Sequence, residues 1–320
     1  MRSLFIDKRV HRGLQTMLLC IAVLAQGRAQ ESAQQHQADL RASVATLEKI
    51  ISVLRPALFG NLTGSEAKIY KEITFRVSDQ EALSRADSRL DDGTRIVEID
   101  EGYGRQIEMM AEAEMIENQQ DRPVLVPYIQ YVVLSWRQHA TFIKDPAAFA
   151  HFDFDRILAK PEGARAWNKM SSNAIAFVIA HEVGHHVLGH CDKPLPKDPD
   201  KLRQMELDAD DWAIARLENA TPHFSPLGGL LPLIFDYYIT PKPIENETRS
   251  DHPADLRRIS KLFEAMEESL PDYRADIEKD GAPLGITYDQ YSSFIKRSLK
   301  DYEQQIATDS VPVKELPRAN

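Results

Sequence analysis

Cysteine is almost missing from this chain: 320 residues hold two, Cys20 and Cys191. A small scaffold stapled by several disulfides is therefore excluded. Basic residues are outnumbered, 39 Lys and Arg against 49 Asp and Glu for a net charge of −10, and no long basic stretch could track a phosphate backbone. Nucleic acid is not an expected partner. Only 14 glycines occur, and 43% of residues are hydrophobic, so collagen-like and wholly disordered chains are excluded too. No repeat of the roughly 34-residue solenoid kind is present. Past the N-terminus, the longest apolar run, Leu227 to Ile239, is broken by Pro232 and Asp236 and falls short of a membrane span.

The N-terminus does carry a shorter apolar run. Lys8, Arg9 and Arg12 precede Leu14 to Ala25, and Gly27-Arg28-Ala29 offers a small-x-small cleavage site. Residues 1–29 read as a secretory signal peptide. Cys20 sits inside the run after Leu18-Leu19, which does not suit a lipidation site. Removal of this segment takes five basic residues and one acid, deepening the charge from −10 to about −14 and leaving Cys191 alone. A secreted or periplasmic location follows, without stable membrane insertion. Asn61-Leu-Thr63 and Asn246-Glu-Thr248 would be glycosylation acceptors in a eukaryotic route.

The remainder reads as a polar tether over 30–38, one domain over 39–307 and a flexible tail over 308–320. Leu40, Val44, Leu47, Ile51 and Leu54 recur at helical spacing until Pro56, which is expected to stop the helix. Ile73–Val77 and Arg95–Asp100 are strand-like, the second following the turn signal Asp91-Asp92-Gly93. They predict a small antiparallel sheet. Helices are expected over Arg105–Gln120, Tyr128–Trp136, Leu202–Asn219, Arg257–Leu270 and Tyr288–Gln305. Another should start at Ser171-Ser172 and run to about His190, before the proline-rich loop 191–199. The fold class is α+β, mainly helical.

The chemistry lies on that last helix. His181-Glu182-Val183-Gly184-His185 places two imidazoles one turn apart, one above the other, where they can share a single ion. Glu182 lies about 100° round the helix and can reach a metal-bound water as general base without being a ligand. An otherwise apolar helix would not bury His-Glu-His without a partner.

A third protein ligand is needed, and Glu206 and Asp210 supply the pattern twenty residues on. They are stacked at i and i+4, whereas Asp208 points away. Glu206 can bind the ion while Asp210 accepts the second N–H of a ligand histidine. Ala209 and Ala213 are small enough to let the two helices approach, and Gly184 suits a close neighbour. His186 and His190 lie off the ligand face and read as packing or hydrogen-bonding groups.

HExxH followed by ExxxD resembles the gluzincin metallopeptidases. The copy here is most similar to the HtpX-type family, family 48 of the metallopeptidases, in three places: AFVIAHEVGHHVLGH over 176–190, the ELDAD form of the second motif, and Asp251-His252-Pro253 followed by Arg258-Ile259. The resemblance implies a zincin-like catalytic domain with one Zn2+ held by His181, His185 and Glu206. It implies Glu182 as base and Asp210 as the support of a ligand histidine. It also implies an oxyanion donor, either His252 or Arg258, with His252 as an alternative resting cap on the zinc. Substrate in such enzymes lies extended along an edge strand, and the candidate here is Ile96, Val97, Glu98 and Ile99. The expected activity is zinc-dependent endopeptidase cleavage of extended or unfolded protein. A zinc-stabilised binding or chaperone-like protein with an idle site is the rival, and Glu182 argues against it.

Overall fold

A computed structural model describes residues 40–80, 86–138, 143–239, 247, 253–281 and 286–309. The signal segment, the tether, His252 and nearly all of the tail lie outside them. By contact the chain divides into Met1–Thr46 and Leu47–Asn320. In the first unit, residues 40–46 are described and helical.

The second unit opens on helical residues 47–59 (α1). Pro56 does not end this helix as expected. Proline removes a single N–H, and the turn beyond it buries Leu58 and Phe59, which outweighs that loss. Then come α2 (Gly64–Lys71), β1 (Ile73–Ser78), β2 (Ala86–Asp91), β3 (Thr94–Asp100), α3 (Glu101–Gln120) and α4 (Leu125–Arg137). Two short helices follow, α5 (Pro146–Ala150) and α6 (Asp155–Leu158). The rest is α7 (Pro161–Val187), α8 (Pro199–Asn219), α9 (Leu230–Ile239), α10 (Asp255–Ser269), α11 (Arg274–Gly281) and α12 (Tyr288–Asp309).

The sheet has the order β1-β3-β2. Its hairpin, β2 with β3, is antiparallel as expected and turns through Asp92 and Gly93, both at positive φ. β1 runs parallel to β3, however, with Ile73 opposite Arg95, so the sheet is mixed. The proposed substrate edge is also corrected. β3 is the central strand, hydrogen-bonded on both sides, and its Ile96, Val97 and Ile99 are buried; no peptide can add to it. Consecutive buried residues on both faces mark an inner strand, whereas the polar sequence of β2, ADSRLD, suits an edge.

α7 is the spine of the core. It begins ten residues before Ser171, with Pro161 in its first turn, and Ser171 is a buried position within it. Every residue from Ala174 to His186 is buried. A helix buried all round must have neighbours on every side, here α3, α8, α9 and the sheet. α8 begins at Pro199, with the Asp198 side chain accepting from the N–H of Asp200.

Candidate metal centre

α7 and α8 pack closely because their facing residues are small. A Cβ on Gly184 would lie 3.3 Å from Trp212 Cε3 and 3.4 Å from the carbonyl oxygen of Ala209. Ala209 and Ala213 are fully buried in the same seam. This approach brings Glu206 on α8 to the histidine pair on α7.

One ligand atom from each of His181, His185 and Glu206 fits within a cluster 4.8 Å across. The two Nε2 atoms are 3.2 Å apart, and Glu206 oxygens lie 3.5 Å from His181 Nε2 and 3.6 Å from His185 Nε2. Donors at 2.0–2.1 Å from a tetrahedral ion sit about 3.3 Å from one another. The imidazole nitrogens are at that spacing, and Glu206 turns Oε2 towards His181 and Oε1 towards His185, so its carboxylate faces the gap between the rings; two neutral imidazoles with one carboxylate are an ordinary catalytic zinc donor set.

The surroundings hold these groups in place. Nδ1 of His181 faces Oδ1 of Asp210 at the ion-pairing distance of 2.9 Å. Asp210 in turn accepts from Arg258, Nε to Oδ2 at 2.7 Å and Nη2 to Oδ1 at 2.8 Å, with both residues buried. Burial alone would raise the Asp210 carboxyl, but the charge and hydrogen bonds of Arg258, with His181, hold it well below the ordinary carboxylate range. Asp208 instead accepts from Gln204 on its own helix.

The two ligand histidines differ. Burial disfavours charge on His181, yet Asp210 and Glu206 outweigh it and lift the ring to about 10. Burial dominates at His185 and, with the charge of His181, lowers it to about 3. The carboxylates that draw a proton to this spot would draw a cation equally, and a metal would displace that proton. Glu182 is 8% exposed, and burial lifts its carboxyl to about 7 against the opposing pull of His181 and hydrogen bonding by Ser88. That value suits proton transfer near neutrality.

Three features went unread in the sequence. His190 meets His185, Nδ1 to Nδ1 at 3.0 Å. The edge strand β2 lies beside the site, with Ser88 next to Glu182 and its carbonyl accepting from the Cys191 thiol at 3.6 Å. Arg258, expected as an oxyanion donor, is brought to Asp210. His186 does act as a hydrogen-bonding group, Nε2 at 2.9 Å from the carbonyl of Ile96. His252 lies outside the described residues.

A mainly helical α+β fold with an HExxH helix paired to a second ligand helix, and a His-His-Glu site for one divalent ion, defines a zinc metalloendopeptidase site of the gluzincin type. The family model of peptidase U49 matches residues 135–275, a span that contains both ligand helices and Arg258. No curated protein and no solved structure matches the chain.

Proposed function

We propose that the protein is a secreted or periplasmic zinc endopeptidase acting on extended segments of protein substrates. The observation that carries this is the convergence of His181, His185 and Glu206 with Glu182 buried beside them. Zinc, when bound, supplies a Lewis acid that polarises the scissile carbonyl. Glu182 takes a proton from the attacking water and passes it to the leaving amine. Its carboxyl, near 7, is basic enough for the first transfer and acidic enough for the second. Asp210 orients His181, and Arg258 orients Asp210.

Substrate backbone then pairs with the outer edge of β2 rather than with β3. β2 has no strand partner on that side among the described residues, and Ser88 sets it against Glu182. His252 is the oxyanion donor in this reading, since Arg258 is committed to Asp210. No described helix is long and apolar enough to cross a membrane, which agrees with removal of residues 1–29 and release of the rest.

Glu182→Gln tests the reading. The variant should keep about one zinc per chain and lose hydrolysis of casein or a peptide library, on the order of 10²-fold or more. Undiminished cleavage would refute Glu182 as base. N-terminal sequencing of exported protein should begin at Gln30.

A further inference from the structure

Both ligand histidines turn Nε2 inward, only 3.2 Å apart, so each Nδ1 points away from the ion's position. A neutral imidazole that binds metal through Nε2 must carry its proton on Nδ1 and needs an acceptor there. Asp210 stands opposite His181. Opposite His185 stands another imidazole, that of His190, with Nδ1 at 3.0 Å and ring centroids 5.1 Å apart. Two ring nitrogens at that distance must divide the roles of donor and acceptor. With His185 donating, His190 presents a bare Nδ1 and holds its own proton on Nε2.

The chain is shaped to bring His190 there. α7 ends at Val187, Gly189 adopts φ +75°, and a 3-10 turn, His190–Asp192, doubles back towards the helix. Side chains tie that turn down. Asp192 pairs with Arg95 of β3 at 2.7 Å, and Cys191 donates to the carbonyl of Ser88 on β2. Fixed at both later residues, the turn holds His190 against His185 instead of fraying with the helix end.

We propose that His190 is a positioning residue for the metal centre, accepting the Nδ1 proton of His185 and so fixing that ring as an Nε2 ligand. This rests on the zinc-site reading above. The acceptor is neutral, unlike the Asp210–Arg258 pair behind His181, so the two ligand rings are supported by chemically different groups.

Zinc affinity of the full chain, measured by competition with a chromophoric chelator, tests it together with the visible spectrum of the cobalt-substituted protein. Asparagine places Oδ1 where histidine has Nδ1, whereas leucine offers no acceptor. His190→Asn should bind zinc within about 3-fold of wild type and keep the cobalt spectrum, while His190→Leu should weaken zinc by roughly 10–100-fold and alter it. Urea unfolding of the metal-free proteins should show no difference large enough to account for the loss. Equal affinity for His190→Leu and wild type overturns the assignment, and so does equal weakening by both variants, which would mark a packing role. Wild-type protein that takes up no zinc overturns the metal site itself and His190's part with it.

Discussion

Replacing Asp210 by asparagine separates what this residue does for the metal from what it does for the fold. Its carboxylate faces three donors at 2.7, 2.8 and 2.9 Å, two from Arg258 and one from His181. Asparagine preserves the shape but removes the charge, and turns one oxygen into an N–H2 group aimed at a donor. Arg258, 6% exposed, loses its hydrogen-bonded counter-charge and keeps only the more distant Glu206 and Asp236. Breaking a buried pair in this way costs about 3–5 kcal/mol, a fifth or more of the roughly 5–15 kcal/mol that holds a domain together. Zinc affinity should fall about 10–100-fold, because His181 loses the group that orients it. Urea unfolding of the metal-free protein measures the first effect and chelator competition the second. Asp210 has a depressed carboxyl, so its contribution is complete above its unfolded value near 3.9 and lost only as pH falls through the lowered folded one. Wild type and variant should therefore differ by a constant amount from about pH 5 to 6.5, converge in strong acid, and draw together again as pH rises from about 6.5 to 10 and His181 gives up the charge that Asp210 supports. A stability loss under about 1 kcal/mol at neutral pH would refute the ion-pair argument.

Glu206→Gln should lower zinc occupancy far more than Asp208→Asn, since Glu206 reaches both ligand histidines and Asp208 accepts from Gln204 on its own helix; equal losses on metal analysis would remove Glu206 as third ligand. Glu114 on α3 is raised to about 7 by burial and by Glu117. Such a carboxyl stays protonated in the fold while the unfolded chain ionises, so stability falls as pH rises from about 4.5 to 7 and levels off above. Glu114→Gln should flatten that slope in thermal melts run across the window and stabilise the protein at pH 8; an unchanged slope would mean that the carboxyl does not titrate there. Ile179→Ala, at a fully buried position of α7, should cost about 2–4 kcal/mol in the same melts.

The site was legible because its parts are local. HExxH and the Glu206/Asp210 pair are each spaced by one helical turn, and helical geometry alone puts their side chains on common faces. Gly184, Ala209 and Ala213 announced that two helices touch, because small residues in a run of larger ones make sense only where something approaches. What stayed hidden depends on contacts far apart in sequence. The order β1-β3-β2 is set by a parallel pairing across the segment joining β1 to β2, which periodicity cannot register. Arg258 meets Asp210 from 48 residues away, and no spacing rule connects them. Pro56 and Ser171 misled for a related reason: each carries a local preference that packing overrides, through Leu58 and Phe59 in the first case and the buried length of α7 in the second.

The same distinction applies to His190, which is a hydrogen-bonding group as expected but meets His185 rather than facing away from the ligand pair. Nine residues from His181, it would face away if the helix continued, and that geometry holds only while the backbone stays helical. Gly189 ends the regular progression, and a single left-handed residue reverses the direction of everything after it. The signal was present as a glycine just beyond the last apolar turn, followed by Asp192 and a proline-rich stretch that cannot be helix. Once the helix is stopped there, the histidine that follows returns to the ring it had just passed. The support for one metal ligand thus comes from a residue five positions on, in a turn held by Arg95 and Ser88 of the sheet, while the other ligand is supported from α8 and α10. The centre is complete only when Glu206 and Asp210 arrive together on a single face of α8.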